Sequence, residues 1–183
     1  EEERLQKILE TCFNRLNIKR FVIWDCINGL KGVLNEEGKF TNNPLGALNW
    51  IKEQNSELST VLLVKDFHKF LDDPSICRTI KELCYSLKKT KHNLIFNSHI
   101  LPSSEELDDL LSIINLPLPD QNELINLIRT IGLHTNSNLP DNDLNEIASA
   151  CGGLSETRVK QVAAKGLAQR GKISKDDIKD ILE

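Results

Sequence analysis

The run Val61-Leu62-Leu63-Val64 has no polar residue to turn toward water. A strand with one wet face alternates apolar and polar positions, so an unbroken run implies burial on both faces, as in the interior of a parallel sheet. Phe21-Val22-Ile23-Trp24 and Leu94-Ile95-Phe96 are likewise apolar, and Ile113-Ile114-Asn115-Leu116 reads as a fourth strand. The predicted strands are Arg20 to Asp25, Val61 to Asp66, Asn93 to Asn97 and Ile113 to Leu116, the last closed by Pro117 and Pro119. Helical patterns separate them. Leu5, Ile8, Leu9, Cys12, Phe13 and Leu16 recur at helical spacing, as do Ile76, Ile80, Leu83, Cys84 and Leu87 after Asp73-Pro74. Pro44 opens a short helix with Leu45, Leu48 and Ile51 on one face, after a long polar loop from Asn28 to Asn43. Ser103 with Glu106 has the spacing of a capping box for a helix reaching Leu110. This alternation predicts an α/β fold with a parallel sheet covered by helices on both faces.

After Pro119 only helical patterns remain: Asp120 to Leu133, Asp141 to Cys151, Ser155 to Arg170 and Ser174 to Leu182. Asp120 with Glu123 and Ser174 with Asp177 are helix-start signatures, while Gly152-Gly153 and Gly171 punctuate the series. The expected division is an α/β core over 1–119 and a small all-helical lid over 120–183.

Composition narrows the function classes. Asp and Glu number 27 against 23 Lys and Arg, for a net charge of -4, and the signs are interspersed. No basic face offers phosphate neutralisation, so nucleic acid is not an expected partner. No stretch approaches the roughly 18 consecutive apolar residues of a membrane span, so no membrane association is expected either. Cys12, Cys26, Cys77, Cys84 and Cys151 show no CxxC spacing, and His68, His92, His99 and His134 show no metal-ligand spacing, so neither a disulfide framework nor a metal site is indicated. Trp24 and Trp50 read as packing residues. The chain starts at Glu1 and has no Met, which suggests a segment of a longer protein.

A parallel sheet presents working groups beyond the carboxyl ends of its strands, where this chain has Trp24-Asp25, Lys65-Asp66 and Asn97-Ser98. An acid after one apolar strand and an Asn after the next is the layout of a nucleotide-hydrolysing core, in which the acid holds magnesium and the amide orients a water. Each residue also has a plainer reading. Asp66 can cap a loop, Asn97 and Ser98 can satisfy backbone groups at a strand end, and Arg158 can be solvated or ion-paired.

The order of these elements, followed by Leu116-Pro117-Leu118-Pro119-Asp120 and a helical lid, resembles the AAA+ ATPase module over nearly the whole chain. In that resemblance Val61 to Asp66 looks like a Walker B strand, Asn97 like sensor 1, and Arg158 in Gly152-Gly153-Leu154-Ser155-Glu156-Thr157-Arg158 falls near sensor 2. More narrowly, Phe21 to Asp25, Asn43-Pro44-Leu45, Lys65 to Leu71 and Leu116 to Pro119 resemble the N-terminal half of an uncharacterised AAA-type family of cyanobacteria and algal plastids, named as a hypothetical chloroplast reading frame. The resemblance implies a degenerate module preceding a second half with an intact ATP site. It also places a first core strand, absent from these residues, between the strands ending at Asn97 and Leu116.

The departures from an active site are specific. No GxxxxGK[ST] occurs, so the phosphate-cradling nest and its lysine are missing from these residues. Phe67 stands where a working Walker B has Glu. The resemblance therefore implies a non-hydrolytic regulatory or assembly module, without a cofactor of its own, in a parent protein that uses ATP and magnesium. Asp66, Asn97 and Arg158 would be vestiges of a nucleotide site, with no catalytic residue among them. Its partners would be the downstream ATPase module of the same chain and further copies in a homo-oligomer, in cyanobacterial cytoplasm or plastid stroma. Two alternatives stay open: an active ATPase whose Walker A lies upstream, and a clamp-loader-type ATPase-like subunit.

Overall fold

The computed structural model describes residues 1–31, 42–100, 107–135 and 139–170. The predicted helix-start pairs Ser103–Glu106 and Ser174–Asp177, Gly171 and the helix to Leu182 lie outside the described residues. Two compact units divide the chain, one of Ile8–Ile114 and one of Glu1–Lys7 with Asn115–Glu183.

The first unit is built on a four-stranded mixed sheet. Strand β1 is Arg20–Asp25, β2 Gly29–Lys31, β3 Thr60–Lys65 and β4 His92–Asn97, in the order β2-β1-β3-β4. β1 pairs in parallel with β3, and β3 in parallel with β4. The central strand β3 is buried from Thr60 to Val64, as its unbroken apolar run requires. Its side chains divide between two faces. Leu62 and Val64 join Val22 and Trp24 on one face, against Ala47, Leu48 and Ile51 of α2 (Pro44–Lys52) and Ile76, Ile80 and Leu83 of α3 (Pro74–Leu87). Val61 and Leu63, each 1% exposed, alternate to the other. Helix α1 (Glu2–Arg15) contributes Phe13, whose ring meets Phe21 of β1 edge-on at 5.0 Å. Side chains at the expected boundaries start the two crossover helices: Asn43 Oδ1 accepts from Leu45 N at 2.9 Å, and Asp73 Oδ1 accepts from Ser75 N at 2.7 Å.

Two expectations about the sheet are corrected. Ile113 to Leu116 is not a strand; Ile113 and Ile114 are 64% and 89% exposed. The expected fold places another strand between β4 and this segment, and no described residue supplies one, so its backbone has no ladder to join. The start of the polar loop, in turn, holds β2, which pairs antiparallel with β1. Asp25 opposes Gly29 across a three-residue turn, and Gly29 takes φ 69, the left-handed conformation that such hairpin loops favour at that place.

The second unit contains α4 (Gln121–His134), α5 (Asp141–Ala150) and α6 (Glu156–Arg170). Leu124 and Ile128 of α4 pack with Leu144, Ile147 and Ala148 of α5 and Val159, Val162 and Ala163 of α6. Asp120 and Glu123 form the predicted capping box at the start of α4. Between α5 and α6 the chain turns at Gly153, φ +84. Cys151 is buried with this cluster, and burial raises its thiol pKa to about 11, so it is an inert packing group.

Candidate functional site

The parallel register aligns the carboxyl ends of β1, β3 and β4, with Trp24 opposite Val64 and Lys65 opposite Asn97. Asp66 leaves β3 in the left-handed region at φ 52, where a non-glycine residue is uncommon and Asp is among those that tolerate it. Two backbone bonds hold it there. Asp66 N–H donates to Asn97 O at 3.0 Å, and Asp66 O accepts from Lys69 N–H at 3.3 Å. Its carboxylate makes no cap bond to the 3-10 helix Phe67–Phe70 that follows, so the loop-capping reading of Asp66 does not account for the side chain.

The kink at Asp66 turns Phe67 inward. Its ring is 0% exposed and lies 5.5 Å from Trp24, 5.7 Å from Phe70 and 5.5 Å from Phe96. His68 points elsewhere, and its Nδ1 is 2.8 Å from Ser98 Oγ. That hydroxyl donates to Ile100 O at 2.7 Å and accepts from Ile100 N–H at 3.2 Å. His99 Nδ1 lies 3.9 Å from Asp66 Oδ1, and the His68 and His99 rings meet edge-on at 5.2 Å.

Of the residues singled out in the sequence, Asp66 and Asn97 are thus brought together through the backbone. Arg158 belongs to the helical unit, exposed on the first turn of α6, where its N–H donates to Ser155 Oγ at 3.3 Å. Sequence reasoning did not group His68 and His99 with Asp66. The histidines are separated in sequence by α3 and β4, and the only signal is that each follows a strand end by two or three residues.

Asp25, at the end of β1, forms the base of the hairpin to β2. Its carboxylate accepts from the N–H of Ile27 at 3.0 Å and of Asn28 at 2.7 Å, from Asn28 Nδ2, and from Lys31 Nζ at 3.1 Å. Burial alone would raise its pKa; the Asn28, Lys31 and Ile27 hydrogen bonds outweigh that and hold it at about 2 instead of 3.8. A carboxyl depressed in the folded state stabilises above its unfolded pKa, and the contribution fades as pH falls through the folded one. Asp25→Asn is therefore expected to cost up to about 2 kcal/mol at neutral pH. The deficit should close as urea melts are taken down to about pH 2, and a deficit independent of pH would mean that the charge contributes nothing.

Comparison with known proteins agrees with this architecture. Residues 1–116 match the family described as SpoVK-like AAA ATPase, N-terminal domain, and residues 121–183 match SpoVK-like AAA ATPase, second domain. The chain is 32% identical, over its full length, to an uncharacterized AAA domain-containing protein ycf46 of Pyropia yezoensis, covering 37% of that protein. The same-named protein of Guillardia theta is 29% identical over 97% of the chain and 35% of its own length, and that of Trieres chinensis 30% over 100% and 37%. These homologues are plastid-encoded proteins of algae. The chain spans little more than a third of the length of these relatives. Among the described residues, no helix is long and apolar enough to cross a membrane. With residues 1–116 and 121–183 matching successive domains of one family, the chain belongs to the SpoVK-like AAA ATPase family.

Proposed function

We propose that this chain is a non-hydrolytic module of a larger tandem AAA+ ATPase, with a regulatory or assembly role exercised through its own downstream ATPase half and further copies of the protein. The observation that carries this reading is the burial of Phe67 among Trp24, Phe70 and Phe96. The position that would hold a water-activating carboxylate is occupied by a ring turned into the core. The absence of GxxxxGK[ST] from the 183 residues supports the same conclusion. An active site completed by an upstream phosphate loop would still lack that carboxylate. Losing one positioning group typically costs about a hundredfold or more in rate.

Asp66, Asn97 and Arg158 are in this reading the remains of a nucleotide site, while ATP and magnesium serve the parent protein elsewhere. Plastid stroma or cyanobacterial cytoplasm is the proposed compartment. Calorimetry with Mg-ATP tests the nucleotide part directly. No saturable binding and no turnover are expected from this chain, because three polar groups do not offset desolvation of a triphosphate. A dissociation constant in the low micromolar range, about -8 kcal/mol, that weakens in Asp66→Ala would overturn the proposal. For the assembly role, sedimentation of the longer protein with and without residues 1–183 should show different oligomeric states. Unchanged sedimentation together with unchanged ATP turnover would remove it.

A further inference from the structure

We propose that Asp66, His68 and His99 form a binding site for a borderline divalent transition metal, of which Zn2+ is the representative. This goes beyond the function proposed above and does not rest on it. One ligand atom from each residue lies within 4.8 Å of the others. Four-coordinate zinc, with bonds of about 2.0–2.1 Å, sets its ligands about 3.3 Å apart. Closing the remaining gap requires rotation of side chains free to move, since His99 is 71% and Asp66 42% exposed.

The second observation is the way His68 is held. Ser98 Oγ has a single proton, which it donates to Ile100 O at 2.7 Å. Its 2.8 Å contact with His68 Nδ1 is then made by the imidazole N–H, with the hydroxyl accepting. That assignment leaves Nε2 of His68 with its lone pair, the tautomer a metal ligand needs, and makes Ser98 the outer partner that orients the ring. Asp66 is presented in a comparable way: its backbone is held by Asn97 O and Lys69 N–H, and its carboxylate makes no helix cap.

The donor set points to the class of ion. Two imidazoles and one carboxylate suit zinc and its neighbours, whereas magnesium and calcium select all-oxygen sites. A bound ion would leave one coordination position to solvent. It would tie the 3-10 helix after β3 to the segment after β4, and thereby occupy the carboxylate that the AAA+ pattern assigns to magnesium.

Titration of ZnCl2 into the chain without nucleotide, followed by calorimetry, is expected to give one ion per chain in the low micromolar range or tighter. His68→Ala and His99→Ala should each weaken binding at least about tenfold, and Ser98→Ala by about tenfold although it removes no ligand. Cobalt in place of zinc should give the visible absorption of a four-coordinate site, lost in the histidine variants. Far-UV circular dichroism of the metal-free variants separates loss of ligand from loss of fold, and exposed His99 is the substitution least able to disturb folding. Absence of saturable binding would overturn the proposal. So would binding that survives both histidine substitutions, as it would if the exposed thiols of Cys12 or Cys26 were the ligands.

Discussion

Phe67→Glu is expected to abolish the cooperative unfolding transition of the sheet unit instead of creating a water-activating carboxylate. The ring is fully buried and packs against three other aromatic rings. Removing a buried Phe costs about 3–5 kcal/mol. The one side-chain N–H of that cluster, Trp24 Nε1, has no partner among the described residues, but a single neutral donor does not replace the hydration of a carboxylate, so burying the charge adds several kcal/mol unless it takes up a proton. Together these approach the total of about 5–15 kcal/mol that holds a domain folded. Phe67→Leu keeps the site apolar and should cost only about 1–2 kcal/mol. Thermal melts followed by circular dichroism compare the two. A Phe67→Glu chain that melts like the parent, or that gains ATP turnover, would show that this residue is free to face a nucleotide.

In the helical unit a large loss is expected from Glu123→Ala. Arg4 Nη2 donates to Glu123 Oε2 at 2.9 Å and Nη1 to Pro117 O at 2.6 Å, with its side chain only 7% exposed. Glu123 Oε2 also accepts from Asp120 N–H at 3.0 Å, completing the capping box. Truncating Glu123 leaves the buried guanidinium without its closest carboxylate and breaks half of the cap. Breaking a buried pair from one side costs about 3–5 kcal/mol; because Glu123 is 44% exposed and Pro117 O remains, about 3 kcal/mol is the expected loss. Asp120→Ala, which removes only a cap, should cost about 1 kcal/mol. Chemical denaturation reads both, and equal losses would show that the Arg4 tie adds nothing to the cap.

What can be read along the chain is what neighbouring residues decide among themselves. The unbroken apolar run at β3 requires two covered faces wherever the strand lies. Asn43, Asp73 and Asp120 start helices by bonding N–H groups two or three residues away, a transaction complete within one turn. The family resemblance lies in the order of strands and helices together with the motifs at Val61 to Asp66, Asn97 and Leu116 to Pro119, each of them local in sequence. Tertiary structure decided the rest, because it depends on partners distant in sequence. Ile113 to Leu116 has strand composition but no ladder, since a strand is stabilised by a neighbour's backbone and not by its own apolarity. Arg4, on the first turn of an amphipathic helix, reads as a solvated charge until Pro117 O and Glu123 close around it. His68 and His99 become neighbours of Asp66 only because β3 and β4 pair in parallel, ending together at Lys65 and Asn97, and that register is set by hydrogen bonds across the sheet.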